Sequence, residues 1–78
     1  MSVSAYVLIE AASDKTRGVL KGLTKIPGVK SAHAVTGPFD IIAWVEAADH
    51  NSLGDMVLSK VRKVPGIVKT MTCVAVEP

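Results

Sequence analysis

Ser4–Ala11 (SAYVLIEA) is a short run rich in β-formers, its apolar core Ala5–Ile9 bounded by Glu10 and then by Ala12, Ser13 and Asp14, and this predicts a strand. A helical period follows. Val19, Leu20, Leu23 and Ile26 recur at helical spacing while Arg17, Lys21 and Lys25 form a stripe on the other side, with Ser13 as the expected cap and Asp14 in the first turn. Pro27-Gly28 stops that helix. Val29–Thr36 predicts a second strand, Gly37-Pro38 a turn, and Phe39–Ala47 (FDIIAWVEA) a third, strongly apolar strand forming a hairpin with the second. Asp49 offers a second cap, Leu53, Val57, Val61 and Val64 a second one-sided helix, and Pro65-Gly66 its stop. Ile67–Val76 is the fourth strand, with Lys69, Met71 and Cys73 alternating against Thr70, Thr72 and Val74.

The order βαββαβ contains an internal repeat, because Lys25-Ile26-Pro27-Gly28-Val29 returns 38 residues later as Lys63-Val64-Pro65-Gly66-Ile67. Two interleaved halves of this kind give a ferredoxin-like α+β fold: a four-stranded antiparallel sheet with two helices on one face, strands one and three central. The 78 residues make a single domain, 1–78. Gly18 and Gly22 each weaken the first helix, so their spacing asks for a reason: close packing of that helix on the sheet, or a contact between protomers.

Both central strands are apolar on both faces. Tyr6 and Leu8 oppose Val7 and Ile9, and Ile42 and Trp44 oppose Ile41, Ala43 and Val45. The helices cover one face only, which leaves on the order of 400 Å² of apolar sheet, near the upper limit for a monomer. A dimer packed through its sheets, an αβ sandwich, is therefore expected. The alternative is a monomer whose outer face is wetted by Glu10, Glu46 and Thr70.

Composition narrows the functional classes. The chain is 49% hydrophobic and 21% charged, too apolar for a disordered segment, and has no run long enough to cross a membrane and no secretory signal. With one cysteine, Cys73, no intrachain disulfide can form, and the cytoplasm is the expected compartment. Cys73 reads as a small core hydrophobe, since a second thiolate for soft-metal capture is missing. His33 and His50 have no catalytic partners at meaningful spacing, His33 facing solvent on an edge strand and His50 in the first turn of a helix. No catalytic residue, metal site or cofactor is expected. The net charge of +2 is a weak basic bias, and with only Tyr6, Phe39 and Trp44 aromatic, direct nucleic-acid binding is not expected either.

The segment Val35-Thr36-Gly37-Pro38-Phe39-Asp40 carries the most chemistry, because Asp40 places a carboxylate at the start of an apolar central strand. Either backbone amides of the turn satisfy it as an Asx-type cap, or it meets the cationic group of a ligand.

Ile26-Pro-Gly-Val29, Val35-Thr-Gly-Pro-Phe-Asp40-Ile-Ile, Val64-Pro-Gly-Ile67 and Thr70-Met-Thr72, spread across nearly the whole chain, resemble the effector-binding domain of the Lrp/AsnC feast/famine regulators, the module of regulation of amino-acid metabolism (RAM domain). The resemblance implies sheet-to-sheet dimers, rings of dimers, and amino-acid effectors bound where dimers meet. It implies a ligand loop of Gly37, Pro38, Phe39 and Asp40, with Asp40 on the amino group, and hydroxyls from Thr70 and Thr72 at the polar end. The family's N-terminal helix-turn-helix finds no counterpart, since strand one starts within a few residues of Met1. A stand-alone, non-enzymatic module is expected, able to bind an effector itself or to assemble with a full-length Lrp/AsnC regulator. The competing readings are a small dimeric α+β barrel enzyme and a ligand-free assembly adaptor.

Overall fold

A computed structural model describes residues 2–76. Its elements run β1 (Val3–Ala11), α1 (Thr16–Thr24), β2 (Val29–Ala34), β3 (Ile41–Ala47), α2 (His50–Met56), a π-helical turn (Val57–Val61) and β4 (Ile67–Val74). The strands order as β2-β3-β1-β4, all neighbours antiparallel, so the two most apolar strands are central as their composition requires. One face of the sheet is closed by the helices. Ala5, Val7, Ile9 and Ala11 of β1 and Ile41, Ala43 and Val45 of β3 meet Val19, Leu23, Leu53, Met56, Val57 and Val61 in a single buried core.

The repeat is visible in the backbone. Gly28 and Gly66 both adopt a left-handed conformation, φ 98° and 100°, which a residue with a Cβ avoids. Their carbonyls accept amides from the central strands' ends, Glu46 N–H onto Gly28 at 2.8 Å and Ala12 N–H onto Gly66 at 2.8 Å. Just beyond each glycine an edge-strand residue is bulged out of register, Lys30 in β2 and Val68 in β4, again 38 positions apart.

Several boundaries depart from the pattern. α1 begins at Thr16, and Ser13 does not cap it: Lys15 is the N-cap and makes no side-chain cap bond. The reason is the anchoring of Ala12 on Gly66, after which Lys15 N–H closes a turn onto the Ala12 carbonyl at 2.9 Å. The hairpin loop is longer than two residues, because β2 stops at Ala34 and β3 starts at Ile41. Pro38 has no N–H for a ladder, and Val35 N–H closes the loop onto the Asp40 carbonyl at 2.9 Å instead. β4 ends at Val74 rather than Val76. The second helix widens into the π turn, closed by Arg62 N–H to the Val57 carbonyl at 2.9 Å.

Of the two glycines in α1 only Gly22 is packed, and not on the sheet: a Cβ there would lie 2.7 Å from Val64 Cγ1, beyond the π turn. A Cβ on Gly18 would meet nothing within 4 Å. Cys73 is exposed rather than in the core. It shares strand parity with Lys69 and Met71 and stands opposite Tyr6, on the face without helices.

Candidate functional site

The face without helices carries Tyr6 and Leu8 of β1, Ile42 and Trp44 of β3, His33 of β2 and Met71 of β4. Tyr6 and Trp44 are directly paired across the strands, ring centroids 4.6 Å apart and planes tilted by 53°. Tyr6 remains 48% exposed and Met71 46%, large apolar side chains in one contiguous strip.

Asp40 sits at the corner of this sheet, and three bonds fix it. Its N–H donates to the Ile9 carbonyl at 2.9 Å, its carbonyl accepts from Val35, and its Oδ2 accepts the N–H of Ala11 at 2.8 Å. The carboxylate is therefore satisfied by an amide of β1, not by the turn's own amides as an Asx-type cap. Ala11 follows the register shift at Glu10/Ala11, where the ladder is interrupted and its N–H needs an acceptor from elsewhere. Oδ1 takes no part in that bond. The loop leading to Asp40 is exposed at Gly37, which has φ 132°, and at Pro38, while Phe39 is half-buried.

Thr70 lies opposite Ile9 on the other side of β1, and Thr72 opposite Val7. With β1 between them, Asp40 and Thr70 are separated by two strand spacings, about 10 Å. The threonines line different hollows. Thr70 shares one of about 340 Å³ with Arg62 and Lys69. Thr72 shares one of about 290 Å³ with His50, Leu53, Val57 and Leu58 under the second helix. In the sequence Arg62 is one of the basic run Lys60, Arg62, Lys63, and only the fold sets it beside Thr70.

At the other end of β3, Asp49 caps α2, its Oδ1 accepting Ser52 N–H at 2.7 Å as its position before the helix predicts. Those hydrogen bonds from Ser52 hold its carboxyl below the usual carboxylate range, with His50 adding to the effect. His33 and His50 are both exposed. Among the described residues no group of three or more His, Cys, Asp or Glu side chains comes together as a metal site, and no helix is long and apolar enough to cross a membrane.

The family model of the Lrp/AsnC ligand binding domain matches residues 4–78. The chain belongs to that family. A Pyrococcus furiosus protein named an uncharacterized HTH-type transcriptional regulator is 35% identical over 96% of this chain. That match takes in 52% of the relative's length, so the Lrp/AsnC module described here spans about half of the curated relatives it matches. The crystal structure of FFRP-DM1 is 36% identical, with a TM-score of 0.90 over 95% of this chain and 99% of that one. The transcriptional regulator NMB0573 of Neisseria meningitidis, solved as a complex with L-methionine, shares the fold at 21% identity, with a TM-score of 0.86 over 96% of this chain and 50% of that one. The ferredoxin-like topology of Lrp/AsnC domains is thus the topology of this chain, and the matched family is a ligand-binding, regulatory one.

Proposed function

We propose that this Lrp/AsnC domain is a non-enzymatic, amino-acid-binding and oligomerising module of transcriptional regulation, at work in the cytoplasm. The observation that carries the reading is the uncovered apolar strip of Tyr6, Leu8, Ile42, Trp44 and Met71, which a second copy would bury. Sheet-to-sheet dimers, and rings built from them, create crevices between copies for a small effector. A full-length Lrp/AsnC regulator carries a domain of the same family and is a second partner for the same strip.

Asp40 and Thr70 stand on either side of β1, about 10 Å apart along the sheet. In the proposed site Asp40 offers Oδ1 to the ammonium, the backbone of Gly37, Pro38 and Phe39 lines the loop, and another copy brings the Thr70 or Thr72 hydroxyl, with Arg62 available to a carboxylate. The L-methionine bound by the Neisseria relative supports an amino acid as effector.

A second reading is favoured by one bond: Oδ2 of Asp40 is already occupied by Ala11, as in an adaptor that binds no ligand. Calorimetry against the twenty amino acids, with light scattering, separates the two. The effector reading expects saturable heat from one or a few amino acids at millimolar concentration or below, and a mass that is a multiple of 8.2 kDa. Silence from all twenty leaves the adaptor standing. A single 8.2 kDa particle at micromolar concentration removes both readings.

A further inference from the structure

The charges of this chain are segregated far more than their balance of +2 suggests. No Asp or Glu occurs between Lys15 and Phe39 or between Met56 and Val76, and all nine Lys and Arg fall in those two stretches. The stretches are repeats of one another, and the fold sets their helical parts side by side. A Cβ on Gly22 would lie 2.7 Å from Val64, and a Cβ on Gly66 would lie 2.6 Å from Lys15 Cβ. Lys15, Arg17, Lys21 and Lys25 are exposed at α1, and Lys60, Arg62 and Lys63 are exposed along and just after the π turn. Seven basic residues thus belong to the helix layer, against three acidic ones, Asp14, Asp49 and Asp55.

For the fold alone this arrangement is unfavourable. Arg17, Lys21 and Lys25 succeed one another at i, i+4, where like charges repel. Lys15 is the N-cap of α1 and Arg17 lies in its first turn, which has no acidic residue, so both cations stand where the helix dipole is already positive. Complementing helix C-termini accounts for Lys21 and Lys60, which lie in last turns, and not for these two.

We infer that the helix layer is a docking surface for the phosphate backbone of duplex DNA, engaged without sequence preference. A scarcity of aromatic residues argues against base stacking; a grip on phosphates requires none. Single-stranded nucleic acid is disfavoured because Tyr6 and Trp44 lie on the opposite side of the sheet. A lipid surface or an acidic protein wants apolar anchors among the cations; the exposed side of α1 offers Gly18 and Thr24 there, and the exposed Leu58 lines the hollow beside Thr72 and Val74 instead. A rod of phosphates asks only for cations in a row. Arg17, Lys21 and Lys25 cover about 12 Å of the α1 axis, facing a duplex with one charge per roughly 1.7 Å.

The test is fluorescence anisotropy of a labelled duplex of arbitrary sequence against the full chain. Neutralising about four phosphates makes affinity fall roughly 100-fold between about 50 and 200 mM salt. The triple variant Arg17→Glu/Lys21→Glu/Lys25→Glu is expected to lose at least tenfold in affinity at low salt, and the edge-strand pair Lys30→Glu/Lys69→Glu much less. Arg17→Glu suits the start of α1 whereas Lys21→Glu and Lys25→Glu oppose the dipole at its end. The neutral variant Arg17→Gln/Lys21→Gln/Lys25→Gln, which carries no such penalty, should therefore melt close to the wild type and lose affinity as well, which keeps misfolding apart from lost binding. The inference is overturned by no binding at low salt with tens of micromolar protein, by equal losses in the two Glu variants, or by tighter binding to a single strand. It is also overturned if vesicles containing phosphatidylserine bind through the α1 charges and duplex DNA does not. Amino-acid calorimetry on the triple variant should match the wild type, so failure here leaves the effector reading untouched.

Discussion

The two faces of the sheet are made by the same strands, yet they are solved differently. On β1, Ala5, Val7, Ile9 and Ala11 are each at most 8% exposed, whereas Tyr6, between two of them, is 48% exposed. The helices fill the first face within the chain, and nothing among the described residues fills the second. One face is therefore a determinant of folding, and the other, in the assembly proposed above, of association. The difference teaches that an apolar residue on a central strand cannot be assigned to stability or to assembly by its hydropathy, only by its parity.

The largest expected effect follows from exchanging one face for the other. Ile9→Ala removes a fully buried side chain and should cost about 2–5 kcal/mol in urea denaturation. For a chain of this size that is a large share of a total on the order of 4–12 kcal/mol. Leu8→Ala, one position along and only half-buried, should cost the monomer much less. Equal losses at both positions would mean that the second face is packed in the monomer as well.

Next in size is an effect on mass rather than on melting. Trp44→Asp places a charge in the middle of the uncovered strip, opposite Tyr6. Loss of a central aromatic from an interface typically costs about 2 kcal/mol or more, so dissociation should rise by at least about 30-fold. Sedimentation should then show a larger share of 8.2 kDa particles, with the far-ultraviolet circular dichroism unchanged. A variant that unfolds instead would place Trp44 on the folding side of the comparison.

A smaller effect is expected at the corner where the two faces share a bond. Asp40→Ala leaves the partly buried Ala11 N–H without its acceptor, a loss of about 1–3 kcal/mol in the same denaturation experiment. Asp40→Asn keeps a carbonyl oxygen for Ala11 and should recover most of that loss. In calorimetry the two variants should behave alike if Oδ1 holds an ammonium group, because both lack the charge. Binding that survives in Asp40→Asn assigns Asp40 to the sheet alone.

How much of this was legible in the sequence depends on the distance over which each feature is decided. The apolar runs of β1 and β3 and the Asp49 cap are decided by neighbours within a few positions, and each stands where the pattern put it, while the helices end a few residues before the Pro-Gly pairs, at Thr24 and Val61. The start of α1 is decided by Gly66, more than fifty positions away, through its bond to Ala12, so Ser13 misled. The same holds at Asp40, whose partner is 29 positions distant, and at Cys73, whose exposure follows from which face the helices choose. Of the candidate site, Gly37–Asp40 are contiguous in the chain, while Thr70 and Thr72 fall into separate hollows. Periodicity could not separate them, since both share the same strand parity.

Two aspartates bracket β3, and they sharpen the contrast between distant and local causes. Asp40 ties one strand to another, whereas Asp49 serves only the first turn of α2 through Ser52. Asp49→Ala should therefore give the smallest change of the series, a slight drop in melting temperature at neutral pH. Its sign with pH is fixed by the direction of its shift. The folded carboxyl lies below its ordinary value of 3.8, so its stabilisation is complete above 3.8 and fades as the pH falls through the folded value. Melting curves of wild type and Asp49→Ala should differ at pH 7, differ equally at pH 5, and converge on acidification below 3.8. Asp49→Asn, a good cap without a titrating group, should not follow that convergence. If the wild type and Asp49→Ala instead stay apart in strong acid, the carbonyl oxygen of the neutral carboxylic acid still accepts from Ser52, and the ionised form is not what holds the turn.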